Sequence, residues 1–147
     1  MPITKGFRQL VDEAMAEVKT YSVADVQARM GQPDLQILDI RDERELNDGT
    51  IAGAYHAPRC MLEFWVDPAS PYFKKIFADE SKEFVLFCGA GWRSALAAKT
   101  LQDMGMTNVA HMKAVTGTGS KPAHPLKPWP NTKPANESGA SMTPLHK

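Results

Sequence analysis

The sequence predicts an α/β fold, in which a central, mostly parallel sheet of about five strands is flanked by helices. Short apolar segments alternate with amphipathic segments along the chain, and glycine or proline separates many of them. The chain has 147 residues, of which 43% are hydrophobic and 23% charged, as expected for one globular domain. Strands that alternate with helices pair in parallel through right-handed crossovers, and a ligand site is then expected beyond their carboxyl ends.

The helices are predicted from apolar periodicity and from capping residues. Apolar side chains recur at helical spacing over residues 7–19, and Ser22 is placed as the N-cap of a helix that runs to about Met30. Residues 94–104 form an alanine-rich helix that Gly105 ends. Shorter helical segments are predicted at 41–47, 61–65 and 72–77.

The strands are predicted from short apolar runs that are rich in β-branched and aromatic residues. Residues 35–40 and 83–87 are typical of strands buried on both faces, and 83–87 is placed at the centre of the sheet. Residues 54–56 and 108–112 are predicted as two further strands.

Composition excludes several classes of function. Seventeen basic residues balance seventeen acidic ones, so no global field favours nucleic acid or an acidic membrane as a partner. No stretch approaches membrane-spanning length and no secretory signal is evident, so a cytoplasmic protein is expected. The two cysteines, Cys60 and Cys88, are too few for a disulfide scaffold and lack metal-ligand spacing.

Cys88 lies where a predicted strand meets a predicted helix, which gives it a physical reason to be reactive. The free N–H groups of the loop and of the first helical turn favour a thiolate, and so does the helix dipole. Gly89 and Gly91 allow the backbone to curl around one point, and Arg93 adds positive charge. One alternative is a buried core cysteine, which the combination of strand, loop glycines, arginine and helix disfavours. The other is an ordinary tight turn, which does not account for a cysteine and an arginine at its two ends.

Three ordered motifs within residues 20–113 resemble those of rhodanese-like domains. The loop Cys88-Gly89-Ala90-Gly91-Trp92-Arg93 and its helix resemble the active-site loop of that family. Asp39 and Arg41 stand in an Asp-x-Arg motif, and residues 50–59 resemble the stretch that follows it. The resemblance implies a rhodanese-like fold for residues 1–113.

The resemblance also implies a sulfurtransferase in which Cys88 cycles between thiolate and persulfide. The implied partners are a thiosulfate or persulfide donor and a thiol or cyanide acceptor, with a sulfur-accepting protein as a further partner. No metal or organic cofactor is implied. Thr50 and Ala52 depart from the histidine and proline that are frequent in the family, and neither position is needed for the cysteine chemistry.

Several side chains near the loop have more than one interpretation. Arg93 either binds the anionic donor or, as we favour, anchors the loop through Asp39 or Glu45. Arg59 either adds charge at the mouth of the pocket or is a solvated surface residue. Trp92 is a pocket wall or a lid. Cys60 is interpreted as an incidental substitution rather than a resolving thiol, and neither His56 nor His111 is assigned a catalytic role.

Two other functions compete with sulfur transfer. Cysteine phosphatases and arsenate reductases also place a Cys…Arg loop before a helix, but that loop usually holds one more residue than the four between Cys88 and Arg93. The tighter loop suits a single sulfur atom better than a tetrahedral oxyanion. A non-enzymatic sulfur carrier or binding module is the second alternative, although modules of that kind commonly lack the cysteine.

Residues 114–147 differ in character from the rest of the chain. They contain six prolines and show little hydrophobic periodicity, which predicts a disordered tail. Rhodanese-like domains usually continue into a Gly-Gly-aromatic turn and a tryptophan-containing helix, and a shifted reading frame after Lys113 can encode that pattern. A non-native, frameshifted tail is therefore an alternative to a natural one, and either would leave the usual final helix absent.

Overall fold

A computed structural model describes residues 2–113 of the chain. The α-helices are α1 (Phe7–Glu17), α2 (Val23–Ala28), α3 (Leu62–Val66) and α4 (Trp92–Asp103). The strands are β1 (Lys19–Tyr21), β2 (Leu35–Asp39), β3 (Tyr55–His56), β4 (Glu83–Phe87) and β5 (Val109–Met112). Short 3-10 helices cover Glu43–Asp48, Arg59–Met61 and Lys75–Ala78. The tail prediction for residues 114–147 lies outside the described residues.

The strands form one sheet in the order β1-β5-β4-β2-β3, and every neighbouring pair is parallel. The predicted α/β fold with about five strands is therefore confirmed. Strand β4 is central and pairs with both β2 and β5. The carboxyl ends of these strands share one edge of the sheet, where the sequence predicts the site.

Alternation along the strands divides the core between the two faces of the sheet. Phe84 and Leu86 of β4 pack with α3 and α4 on one face, whereas Val85 and Phe87 pack with α2 on the other. Helix α1 lies against α4 through Val11, Ala14 and Ala95. Because both faces are covered, β4 has the continuous apolar sequence that predicted a buried strand.

The first strand was missed by the sequence analysis, which placed Lys19 at the end of a helix. The structure ends α1 at Glu17 and pairs Lys19–Tyr21 with β5 at the edge of the sheet. Three residues are too few to show a period of two, so only the partner strand identifies this segment. The N-cap at Ser22 is confirmed, since the side chains of Ser22 and Asp25 each accept the other's backbone N–H at 3.0 Å.

The core around α4 should dominate stability. Leu101 of α4 is fully buried in the core between this helix and the sheet. Leu101→Ala should therefore lower the free energy of unfolding by about 2–5 kcal/mol. Met104, at the end of the same helix, is 45% exposed, and Met104→Ala is the matched control, with an expected change within about 0.5 kcal/mol. Chemical denaturation measures both, and equal losses in the two variants would contradict this packing.

Candidate active site

Cys88 follows the last residue of β4 and is almost completely buried, with 1% of its surface exposed. Its Sγ atom accepts the backbone N–H of Gly91 at 3.2 Å. Gly91 is the N-cap of α4 and has a φ of 87°, a conformation that glycine adopts without strain. Of the two loop glycines only Gly91 has a positive φ; Gly89 and Ala90 are half-buried in the bend before it.

Arg93 forms a bidentate ion pair with Glu45, one of the two carboxylates that the sequence offered as its anchor. The two N···O distances are 2.8 and 3.2 Å. This hydrogen bonding raises the pKa of the Arg93 guanidinium, and the neighbouring Cys88 adds to the shift. The same pair lowers the pKa of Glu45. A fixed positive charge therefore lies beside the sulfur, held by the 3-10 helix that follows β2.

An open cleft of about 950 Å³ lies next to the loop at the β2–β3 side of the sheet. Arg93 and Arg59 line it, and so do Cys60, Trp65 and Lys74. Arg59 pairs with Glu63 at 2.9 Å, and the Lys74 ammonium lies 4.9 Å from the centre of the Trp65 ring. Arg93 thus lines the cleft and also neighbours Cys88.

Asp39 and Arg41, the two named residues of the Asp-x-Arg motif, form a buried bidentate ion pair with both N···O distances at 3.0 Å. Arg41 also donates to the carbonyl of Gly49, and its guanidinium lies 5.0 Å from the centre of the Phe87 ring. Thr50 donates its hydroxyl to Asp39 at 2.7 Å, a contact that the sequence analysis did not foresee. The pair ties the end of β2 to the residue before Cys88.

Trp92 packs against α1 rather than into the cleft. Its ring centre lies 5.1 Å from that of Phe7, and the Arg8 guanidinium lies 5.1 Å from the Trp92 ring. The residue is 42% exposed. Helix α1 thereby contacts the first residue of α4, immediately beside the loop.

A buried chain of polar side chains leads away from Cys88 and was also missed by the sequence analysis. The Ser94 hydroxyl lies 3.6 Å from Cys88 Sγ and 3.0 Å from Nδ1 of His111. The other ring nitrogen, Nε2, lies 3.0 Å from the hydroxyl of Thr20. Ser94 and His111 have no exposed surface, and burial lowers the pKa of His111 to about 4. The only sequence signal was a histidine within an otherwise apolar strand.

The fold and the site together define a class of protein: a parallel α/β domain that holds a buried cysteine between a central strand and the N-terminus of a helix. The family model of the Rhodanese-like domain matches residues 22–114. The chain therefore belongs to the rhodanese-like domain family, as its three motifs predicted.

The relatives differ in what they are described to do. A tRNA sulfurtransferase of Shewanella frigidimarina is 29% identical over 71% of this chain. The chain spans only 23% of the length of that curated relative. A solved structure from Rhodopseudomonas palustris, of a protein of unknown function described as a possible tyrosine phosphatase, is 49% identical. That match covers 78% of this chain and 88% of the other, with a TM-score of 0.74.

A human single-domain sulfurtransferase shares the fold at 23% identity, with 63% of this chain and 87% of that chain covered and a TM-score of 0.53. Within residues 2–113, no helix combines the length and apolar character needed to cross a membrane. The same residues contain no group of three or more His, Cys, Asp or Glu side chains arranged to hold a metal ion.

The burial of His111 predicts a pH-dependent stability. The unfolded chain takes up a proton on this residue below about pH 6.5, whereas the folded chain resists protonation down to about pH 4. The free energy of unfolding should therefore fall by about 3 kcal/mol as the pH drops through this window. Denaturation of the wild type and of His111→Gln across the same range measures this contribution, and parallel curves for the two proteins would contradict it.

Proposed function

We propose that this chain is a sulfurtransferase in which Cys88 carries a sulfane sulfur as a persulfide. The observation that carries the proposal is the position of Cys88 Sγ, which accepts the Gly91 N–H ahead of α4 and lies beside the Arg93 guanidinium. Membership of the rhodanese-like family and the sulfurtransferases among the similar proteins support the proposal. We expect the protein to act in the cytoplasm.

In the first half-reaction, the Cys88 thiolate attacks the outer sulfur of thiosulfate or of a persulfide donor. A new S–S bond forms to Cys88, and the donor's own S–S bond breaks. Sulfite, or the donor thiolate, leaves with the electron pair. The outer sulfur of Cys88 then carries the negative charge, which N–H groups at the start of α4 stabilise.

In the second half-reaction, a thiolate or cyanide acceptor attacks the outer sulfur of the persulfide. The Cys88 S–S bond breaks and returns its electron pair to the Cys88 sulfur. The cleft is large enough for a peptide-sized thiol, and Arg93 lies where it meets the loop. We propose that Arg93 orients anionic donors while Glu45 holds it in place.

A cysteine phosphatase is the second candidate, because a similar protein is described as a possible tyrosine phosphatase. The short loop argues against it, since only four residues separate Cys88 from Arg93. One loop N–H, that of Gly91, hydrogen-bonds the Cys88 sulfur directly. This compact arrangement supports binding of a single sulfur atom.

Intact-mass spectrometry after thiosulfate treatment should show one added sulfur atom in the wild type and none in Cys88→Ser. Cys60→Ser is the matched control, and we expect it to accept sulfur and turn over a thiol acceptor as the wild type does. An unlabelled wild type that hydrolyses an aryl phosphate would reject sulfur transfer in favour of the phosphatase. Loss of turnover in Cys60→Ser would instead make Cys60 a resolving thiol.

Arg93→Gln should slow sulfur uptake from thiosulfate by about 10- to 100-fold, because a charge-assisted contact to the donor is lost. Arg59→Gln removes a cleft charge that already pairs with Glu63, and it should change the rate by less than about threefold. Single-turnover labelling measures both variants. Equal effects in the two would show that charge in the cleft acts without a specific contact at Arg93.

A further inference from the structure

His111 occupies a buried position that an apolar side chain would fill at a lower free-energy cost of burial. It faces the core that α4 covers, on a strand whose other side chains are Val109, Ala110 and Met112, and it has no exposed surface. Burying an imidazole is costly unless both ring nitrogens find partners. Both do: Ser94 lies on one side and Thr20 on the other, each at 3.0 Å.

The side chains between Cys88 and Thr20 share so few protons that their hydrogen bonds can all run in only one direction at a time. Ser94 has a single hydroxyl proton and lies between Cys88 Sγ, which donates to it as a thiol and can accept from it only as a thiolate, and His111 Nδ1. A neutral imidazole likewise carries one proton on two nitrogens. If Ser94 donates to the sulfur, Nδ1 must carry the ring proton, and if Ser94 donates to Nδ1, the ring proton must lie on Nε2.

We propose that Cys88, Ser94, His111 and Thr20 form one hydrogen-bond chain whose direction reverses when Cys88 changes charge. His111 acts in it as a positioning residue that changes tautomer, so that Ser94 can accept from the thiol and donate to the thiolate or persulfide. The inference rests on the proposed role of Cys88 as the sulfur carrier.

The reversal is balanced in protons. As the Cys88 S–H bond breaks, Ser94 Oγ takes that proton and passes its own to His111 Nδ1. The Nε2 proton passes to Thr20, whose hydroxyl proton leaves to solvent water. Serine, imidazole and threonine end neutral, and the one charge that remains in the chain is on the sulfur.

The position of Thr20 allows the proton released at this end of the hydrogen-bond chain to reach solvent. Thr20 is half-buried on β1, the edge strand on the opposite side of the sheet from β3 and the cleft. Cys88 itself has 1% of its surface exposed, so solvent has little direct access to the thiol. The proton therefore leaves on one side of the sheet while the sulfur donor arrives on the other.

Nitrogen-15 NMR of histidine-labelled full chain tests the reversal, with Cys60→Ser as background so that Cys88 is the only thiol. His111→Gln identifies the His111 signals. We expect the Nε2–H tautomer while Cys88 is a thiol and the Nδ1–H tautomer once thiolate absorbance has risen, with coincident midpoints. Ser94→Ala should uncouple the two titrations, and Ser94→Thr, which keeps the hydroxyl, should preserve the coupling.

A second measurement applies if Cys88 is ionised throughout the accessible pH range, because its thiol form cannot then be reached by titration. Methylating Cys88 removes its charge, and His111 should then show the Nε2–H tautomer at a pH where the unmodified protein shows Nδ1–H. The same tautomer in both proteins, or an imidazolium while Cys88 ionises, would overturn the inference. Neither measurement uses a sulfur donor, so a protein that switches but takes up no sulfur rejects only the sulfurtransferase proposal.

Discussion

Parallel pairing of β4 with β2 on one side and β5 on the other is the constraint on which the site depends. Both pairings run in register over the apolar residues of β4, so the carboxyl ends of the three strands reach the same edge. That edge receives Asp39 from β2 and Cys88 from β4, while His111 of β5 faces the helix that starts there. A shift of β4 by one residue would exchange its two faces and turn Cys88 away from α4.

Charges near the sulfur are fixed by burial and by multiple partners. Asp39 receives hydrogen bonds from Arg41 and Thr50, so a carboxylate with almost no exposed surface is satisfied. Removing one partner of such a pair leaves a buried charge uncompensated, which typically costs about 3–5 kcal/mol. Arg93 and Glu45 form a more exposed pair, so this contact orients the Arg93 side chain more than it stabilises the fold.

The sequence predicted the parts of the molecule that have a local signal. The apolar run of β4, the N-cap Ser22 and the Cys88–Arg93 loop were all identified from residue type and spacing. Contacts that depend on tertiary pairing were not. Strand β1 exists because β5 lies beside it, and the roles of Thr50 and His111 depend on partners 11 and 17 residues away in the chain.

The contrast between the two cysteines has a consequence for oxidation. Cys60 is exposed in the cleft, whereas Cys88 is buried beneath its loop and hydrogen-bonded to Gly91. Peroxides attack thiolates that they can reach, and over-oxidation beyond the sulfenic state is irreversible for most proteins. The loop that holds Cys88 therefore also shields it, so small oxidants reach the exposed Cys60 thiol first and the proposed sulfur carrier, Cys88, last.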